Sequence, residues 1–155
     1  MEGEYKVYFE KSDSPKHVGE TLRNLIKHPE IKVIFMCFRG LRLGKKEDKI
    51  IRKYIETTTS LQVLIISGEC GSTNTLCQVG RALRKNNSLT CIETFAKDFS
   101  GSRKKVEAAF VDALIKNPER PPESTWFVLC GDPNFNAIPT DDLPRLRLRA
   151  SAARK

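Results

Sequence analysis

Arg81-Ala82-Leu83-Arg84-Lys85-Asn86-Asn87-Ser88-Leu89-Thr90-Cys91-Ile92 reads as the end of one element and the start of the next. Just upstream, Leu76, Val79, Gly80, Ala82 and Leu83 fall at helical spacing behind a Thr73 or Asn74 cap. Lys85-Asn86-Asn87-Ser88 is a polar stop, and Leu89-Thr90-Cys91-Ile92 opens an extended apolar run. The same grammar recurs in residues 24–31, 54–61 and, less cleanly, 113–120. The anchors Leu25, Ile55, Leu83 and Leu114 stand 30, 28 and 31 residues apart, and the closing residues Ile31, Leu61 and Leu89 stand 30 and 28 apart. Consecutive intervals near one period mark an internal repeat.

Working outward, the spacing predicts four helices and five strands. The first helix starts near Ser14-Pro15, since proline suits a first turn, and carries Val18, Leu22, Leu25 and Ile26. The second carries Ile50, Ile51, Tyr54 and Ile55. The fourth follows Ser100-Gly101-Ser102, carries Val106, Ala109, Phe110, Ala113 and Leu114, and ends at Pro118 and Pro121-Pro122. Strands are expected over 5–9, 31–38, 61–67, 89–95 and 126–130. Strands alternating with helices imply parallel pairing, because each crossover needs about a dozen residues. Residues 1–130 therefore read as one repeat-bearing domain, and 131–155 as a polar cap segment with a basic tail.

The strand patterns Ile31-x-x-Ile34-x-Met36, Leu61-x-x-Leu64-x-Ile66 and Leu89-x-x-Ile92-x-Thr94, with the helix end Ala82-Leu83-x-x-Asn86-x-Ser88-Leu89, resemble the ribonuclease-inhibitor-like class of leucine-rich repeats. The resemblance covers roughly residues 7–130. It implies an α/β solenoid of about four to five strand–helix units, with a parallel sheet on the concave side and helices on the convex side. Such units bury their apolar faces only by stacking on neighbours. Where that class places Asn or Cys after the strand, this sequence has Arg39, Glu69 and Lys97, and the stretches 39–48 and 116–125 are long for it. Val33, Phe35 and Cys37, then Val63 and Ile65, then Cys91 and Phe95 make the strands apolar on both faces. That pattern also fits a sheet covered on both sides, so the alternative is a doubly wound, flavodoxin-like three-layer sandwich.

Composition narrows the function. The chain has 155 residues, about one domain's worth, with 27 Lys+Arg against 19 Asp+Glu and a formal charge of +8. The excess is local. Residues 39–53 carry +5 and the last thirteen residues another +5, which leaves the repeat body close to neutral. No apolar run approaches the roughly 18–20 residues of a membrane span. The start, Met1-Glu2-Gly3-Glu4-Tyr5-Lys6, has neither the basic residues nor the apolar stretch of a secretory signal. Five cysteines without paired spacing, and histidines only at 17 and 28, suggest neither a disulfide framework nor a zinc site. The expectation is reduced thiols packed in a core, in the cytoplasm or nucleus.

No motif for chemistry stands out. Ser67-Gly68-Glu69-Cys70-Gly71-Ser72-Thr73-Asn74 lacks the lysine of a P-loop and the spacing of a dinucleotide fingerprint. Asp13 and Asp132 follow strands but read equally as turn acids. The sequence thus suggests a non-catalytic module with no cofactor and no metal, whose partner is another protein. An open sheet would expose Val33, Phe35, Ile65 and Phe95 as an apolar strip with Gln62 and Glu93 beside it. The basic edge offers Arg39, Arg42, Lys45 and Lys46, and the tail offers Arg145, Arg147 and Arg149. Two alternatives stand beside this reading: nucleic acid held by those basic stretches, and a phosphate-bearing ligand in the doubly wound fold.

Overall fold

A computed structural model describes residues 4–10, 12–39, 43–68, 73–95, 101–117, 119–121 and 124–130; the proposed cap and tail, 131–155, lie outside the described residues. The chain runs β1 (Glu4–Glu10), α1 (Pro15–Ile26), β2 (Val33–Arg39), α2 (Lys45–Thr57), β3 (Val63–Gly68), α3 (Thr73–Ala82), β4 (Cys91–Phe95), α4 (Arg103–Lys116) and β5 (Thr125–Cys130). All strand pairs are parallel, in the order β1-β2-β3-β4-β5. Right-handed crossovers between neighbours in that order set every helix on the same side of the sheet. The helices accordingly pack in sequence, α1 on α2, α2 on α3 and α3 on α4. The fold is the open repeat arc, not the doubly wound alternative.

The expected caps are present where serine leads a helix. Ser14 accepts from His17 N at 3.1 Å ahead of Pro15, and Ser102 accepts from Lys105 N at 3.3 Å. Thr73 and Asn74 lie inside α3 rather than capping it. Strands β2, β3 and β4 begin two residues later than the apolar runs suggest, because Ile31, Leu61 and Leu89 are buried in the turns that precede them, while β1 and β5 begin one residue earlier than expected.

Register turns the repeat into core layers. Ile34, Leu64, Ile92 and Trp126 lie in one row across the sheet, and Val7, Met36, Ile66 and Thr94 in the next, all buried beneath the helices. Phe9 and Phe38 stack at 5.3 Å, and Trp126 closes the last layer edge-on to Phe110 at 6.0 Å. Of the cysteines expected in the core, only Cys77 is buried there. Cys37, Cys91 and Cys130 sit half-buried in rows of the opposite parity, and Cys70 lies outside the described residues.

The helix-to-strand turns are held by buried amides. Asn86 Nδ2 donates to Ile55 O of the preceding unit at 2.8 Å, while its Oδ1 accepts from Ser88 N and Leu89 N at 2.9 and 2.8 Å. Asn117 repeats the device and donates to Leu83 O and Asn86 O, each at 2.9 Å. One unit earlier Thr58 Oγ1 accepts from Leu61 N at 3.3 Å and Ser60 Oγ donates to Ile31 O at 2.8 Å. The polar ladder therefore runs along the strand N-termini, whereas the leucine-rich-repeat resemblance implies one beyond the strand C-termini, where this sequence has Arg39, Glu69 and Lys97.

Polar links also join the helices. Thr75 Oγ1 donates to Asp48 Oδ1 at 2.6 Å, and Arg52 Nη1 donates to Gln78 Oε1 at 3.1 Å. Burial pushes the Asp48 carboxyl above its ordinary value, and the nearby Glu47 charge adds to this against the Thr75 bond.

Two stability measurements test these assignments. Asn117→Ala strands two buried carbonyls and should cost about 2–4 kcal/mol in urea unfolding, whereas the exposed Asn87→Ala should stay within about 0.5 kcal/mol. For Asp48, the folded pKa lies above the unfolded one, so the native state takes the proton first. The stability this confers is present at low pH and lost as pH rises through the folded pKa. Asp48→Asn should remove that loss, with wild type and variant diverging above pH 3.8, the ordinary value; equal pH profiles would contradict the assignment.

Candidate functional site

Alternation along a strand sends successive side chains to opposite faces. With the buried rows under the helices, the remaining rows form the open face. One runs Glu4, Val33, Val63 and Cys91; the next Lys6, Phe35, Ile65 and Glu93; a third Tyr8, Cys37 and Ser67. Val33, Phe35, Ile65 and Glu93 are half-buried, while Phe95 is 41% and Tyr8 50% exposed. Neighbouring strands about 4.8 Å apart shield one another's side chains, which contributes to this half-burial. The Tyr8 and Phe35 rings lie 6.2 Å apart in a tilted pair.

Four of the six residues expected in the strip thus share two adjacent rows, and Phe95 joins them at the end of β4, opposite Cys130 across a register irregularity. Gln62 stands apart. It precedes β3, and its peptide carbonyl accepts from Thr90 N and Cys91 N at 2.9 and 3.1 Å, so its place is in the inter-unit turn. Tyr8 was not anticipated, although alternation with Phe9 carried the signal.

Glu93 is the charged centre of this apolar face. Cys91 Sγ donates weakly to its Oε1 at 3.9 Å, and no cation pairs with it among the described residues. Lys6, in the same row three strands away, is 3.7 Å from Glu4. Desolvation raises the Cys130 thiol, and the Glu93 charge raises it further.

The basic edge is described only in part. Lys45 and Lys46 are exposed in the first turn of α2, where Glu47 and Asp48 offset their unfavourable position at a helix N-terminus. Arg39 ends β2; its side chain, and Arg42, Arg145, Arg147 and Arg149 altogether, lie outside the described residues. Asp13 Oδ2 accepts from Glu10 N at 2.7 Å and so serves a turn, while Asp132 and residues 69–72 of the glycine-bearing stretch are not described. Among the described residues no three His, Cys, Asp or Glu side chains stand together so as to hold a metal ion, and no helix is long and apolar enough to cross a membrane.

A separate cavity of about 410 Å³ lies on the convex side between α3 and α4. No single stretch of sequence signals it, because its cations come from α3, the turn after it and α4, at positions 81, 84 and 105.

No protein-family model and no curated protein matches this sequence. Among solved structures, the chain is similar to the tropomodulin C-terminal domain of Caenorhabditis elegans, with a TM-score of 0.64 and 16% sequence identity over 97% of this chain and 80% of that one. At that identity the likeness is one of fold, a leucine-rich-repeat-like arc.

A sheet face with no described helix above it makes a distinct prediction. Tyr8→Ser and Phe95→Ser should each lower the unfolding free energy by less than about 1 kcal/mol, while Phe38→Ala, which empties the opposite face, should cost about 3–5 kcal/mol. Chemical denaturation reads both.

Proposed function

We propose that the chain is a non-catalytic protein-binding module whose partner docks on the open sheet face. The observation that carries this reading is the Phe35–Ile65–Glu93 row, flanked by exposed Tyr8 and Phe95, on a face with no described helix above it. An apolar patch with aromatic anchors and one central charge has the make-up of an interface core. The tropomodulin likeness supports a protein partner at the level of fold class. Binding energy would concentrate at Phe35, Ile65 and Phe95, with Glu93 selecting a partner that brings a cation, since a half-buried carboxylate gains most from an opposite charge on docking.

The test compares two charge-altering double variants as affinity baits in quantitative pull-downs. Phe35→Asp with Phe95→Asp should reduce recovery of specifically bound protein at least about tenfold, and Lys45→Glu with Lys46→Glu should leave it unchanged. The reverse result would move the contact to the basic edge. Nuclease-sensitive recovery, lost steeply with salt, would replace a protein partner with nucleic acid.

A further inference from the structure

The cavity between α3 and α4 has nothing to do with the sheet face. Its volume of about 410 Å³ falls within the roughly 300–1,000 Å³ of small-ligand sites. Small side chains make room for it: Cys77, Ala108 and Ala109 line its interior. Alongside, α3 and α4 approach so closely at Gly80 that a Cβ there would lie 3.0 Å from Ala109 Cβ.

The charges around this cavity do not balance. Arg81, Arg84 and Lys105 line it against a single carboxylate, Asp112. Asp112 is already engaged by Arg84 and by Lys116, the latter at 3.1 Å. Arg81 from α3 and Lys105 from α4 both line the cavity, with no carboxylate partner among the described residues. Burial raises the Cys77 thiol while both cations pull it down, so their field reaches the cavity interior. Two unpaired cations suit a dianion better than a carboxylate, and guanidinium matches phosphate oxygens in a bidentate manner. The apolar interior suits a compact hydrocarbon or ring. A bounded cavity of this size favours a single phosphoryl group over the continuous basic track that a nucleic-acid backbone requires.

We propose that the α3–α4 cavity binds a phosphomonoester with a small apolar body, its phosphate held between Arg81 and Lys105 and its body over Cys77, Ala108 and Ala109. The site is non-covalent and independent of the sheet face.

Phenyl phosphate, benzoate and inorganic phosphate serve as probes in calorimetry and amide chemical-shift titrations at low salt. Phenyl phosphate should saturate, at least about tenfold tighter than either of the others, with shifts centred on Cys77, Ala108 and Ala109. Arg81→Gln with Lys105→Gln, both exposed positions, should weaken binding about tenfold or more, while Lys45→Gln with Lys46→Gln on α2 should not change it. Ala108→Leu keeps the charges and fills the cavity, so it should abolish the preference for phenyl phosphate over inorganic phosphate. The proposal is overturned by no saturation below about 10 mM, by equal loss in the two double variants, or by shifts centred elsewhere. Tighter binding of single-stranded RNA than of phenyl phosphate, lost in the same Arg81/Lys105 variant, would likewise overturn it in favour of a polymer.

Discussion

The buried amides of Asn86 and Asn117 are what the rest of the fold depends on. Each helix-to-strand turn leaves carbonyls facing inward, where an unpaired group costs as much as a lost hydrogen bond. Asn86 reaches back to Ile55 O, and Asn117 reaches back to both Leu83 O and Asn86 O, so each unit satisfies the turn of the one before it. These bonds span one repeat and set neighbouring units in a common phase. With the phase set, Ile34, Leu64, Ile92 and Trp126 fall into a single buried row, and successive helices lie side by side.

A one-sided stack puts the described helices on one face of the sheet, and no described helix covers the other. Val33, Phe35, Val63 and Ile65 on that face are half-buried, in contrast to the fully buried rows beneath the helices. Apolar residues there bring no packing comparable to the Phe9–Phe38 stack on the covered side. Their cost in solubility and the central Glu93, which no cation pairs with among the described residues, are the physical grounds for reading the face as a docking surface.

The convex side works differently. Gly80 and the alanines at 108 and 109 let α3 and α4 close together along part of their length, and the same small side chains open the cavity beside that contact. Cations gather at its mouth because Asp112 is shared between Arg84 and Lys116, leaving Arg81 and Lys105 unmatched. The two proposed sites thus sit on opposite sides of one sheet.

The sequence by itself determined the repeat, its period, the parallel strand–helix order and most of the apolar helix face, because burial repeats at 3.6 residues there and leaves a readable pattern, although Ile26, expected on that face, is 42% exposed. It also placed Val33, Phe35, Ile65 and Glu93 on one strip. It left the two sides of the sheet undecided, since a strand apolar on both faces looks the same under one layer of helices or two. Register and strand order settled that, and moved Cys37, Cys91 and Cys130 from the expected core to the open face. The convex cavity and the turn ladder belonged wholly to tertiary structure: residues 81 and 105, or 86 and 117, meet only when separate units stack.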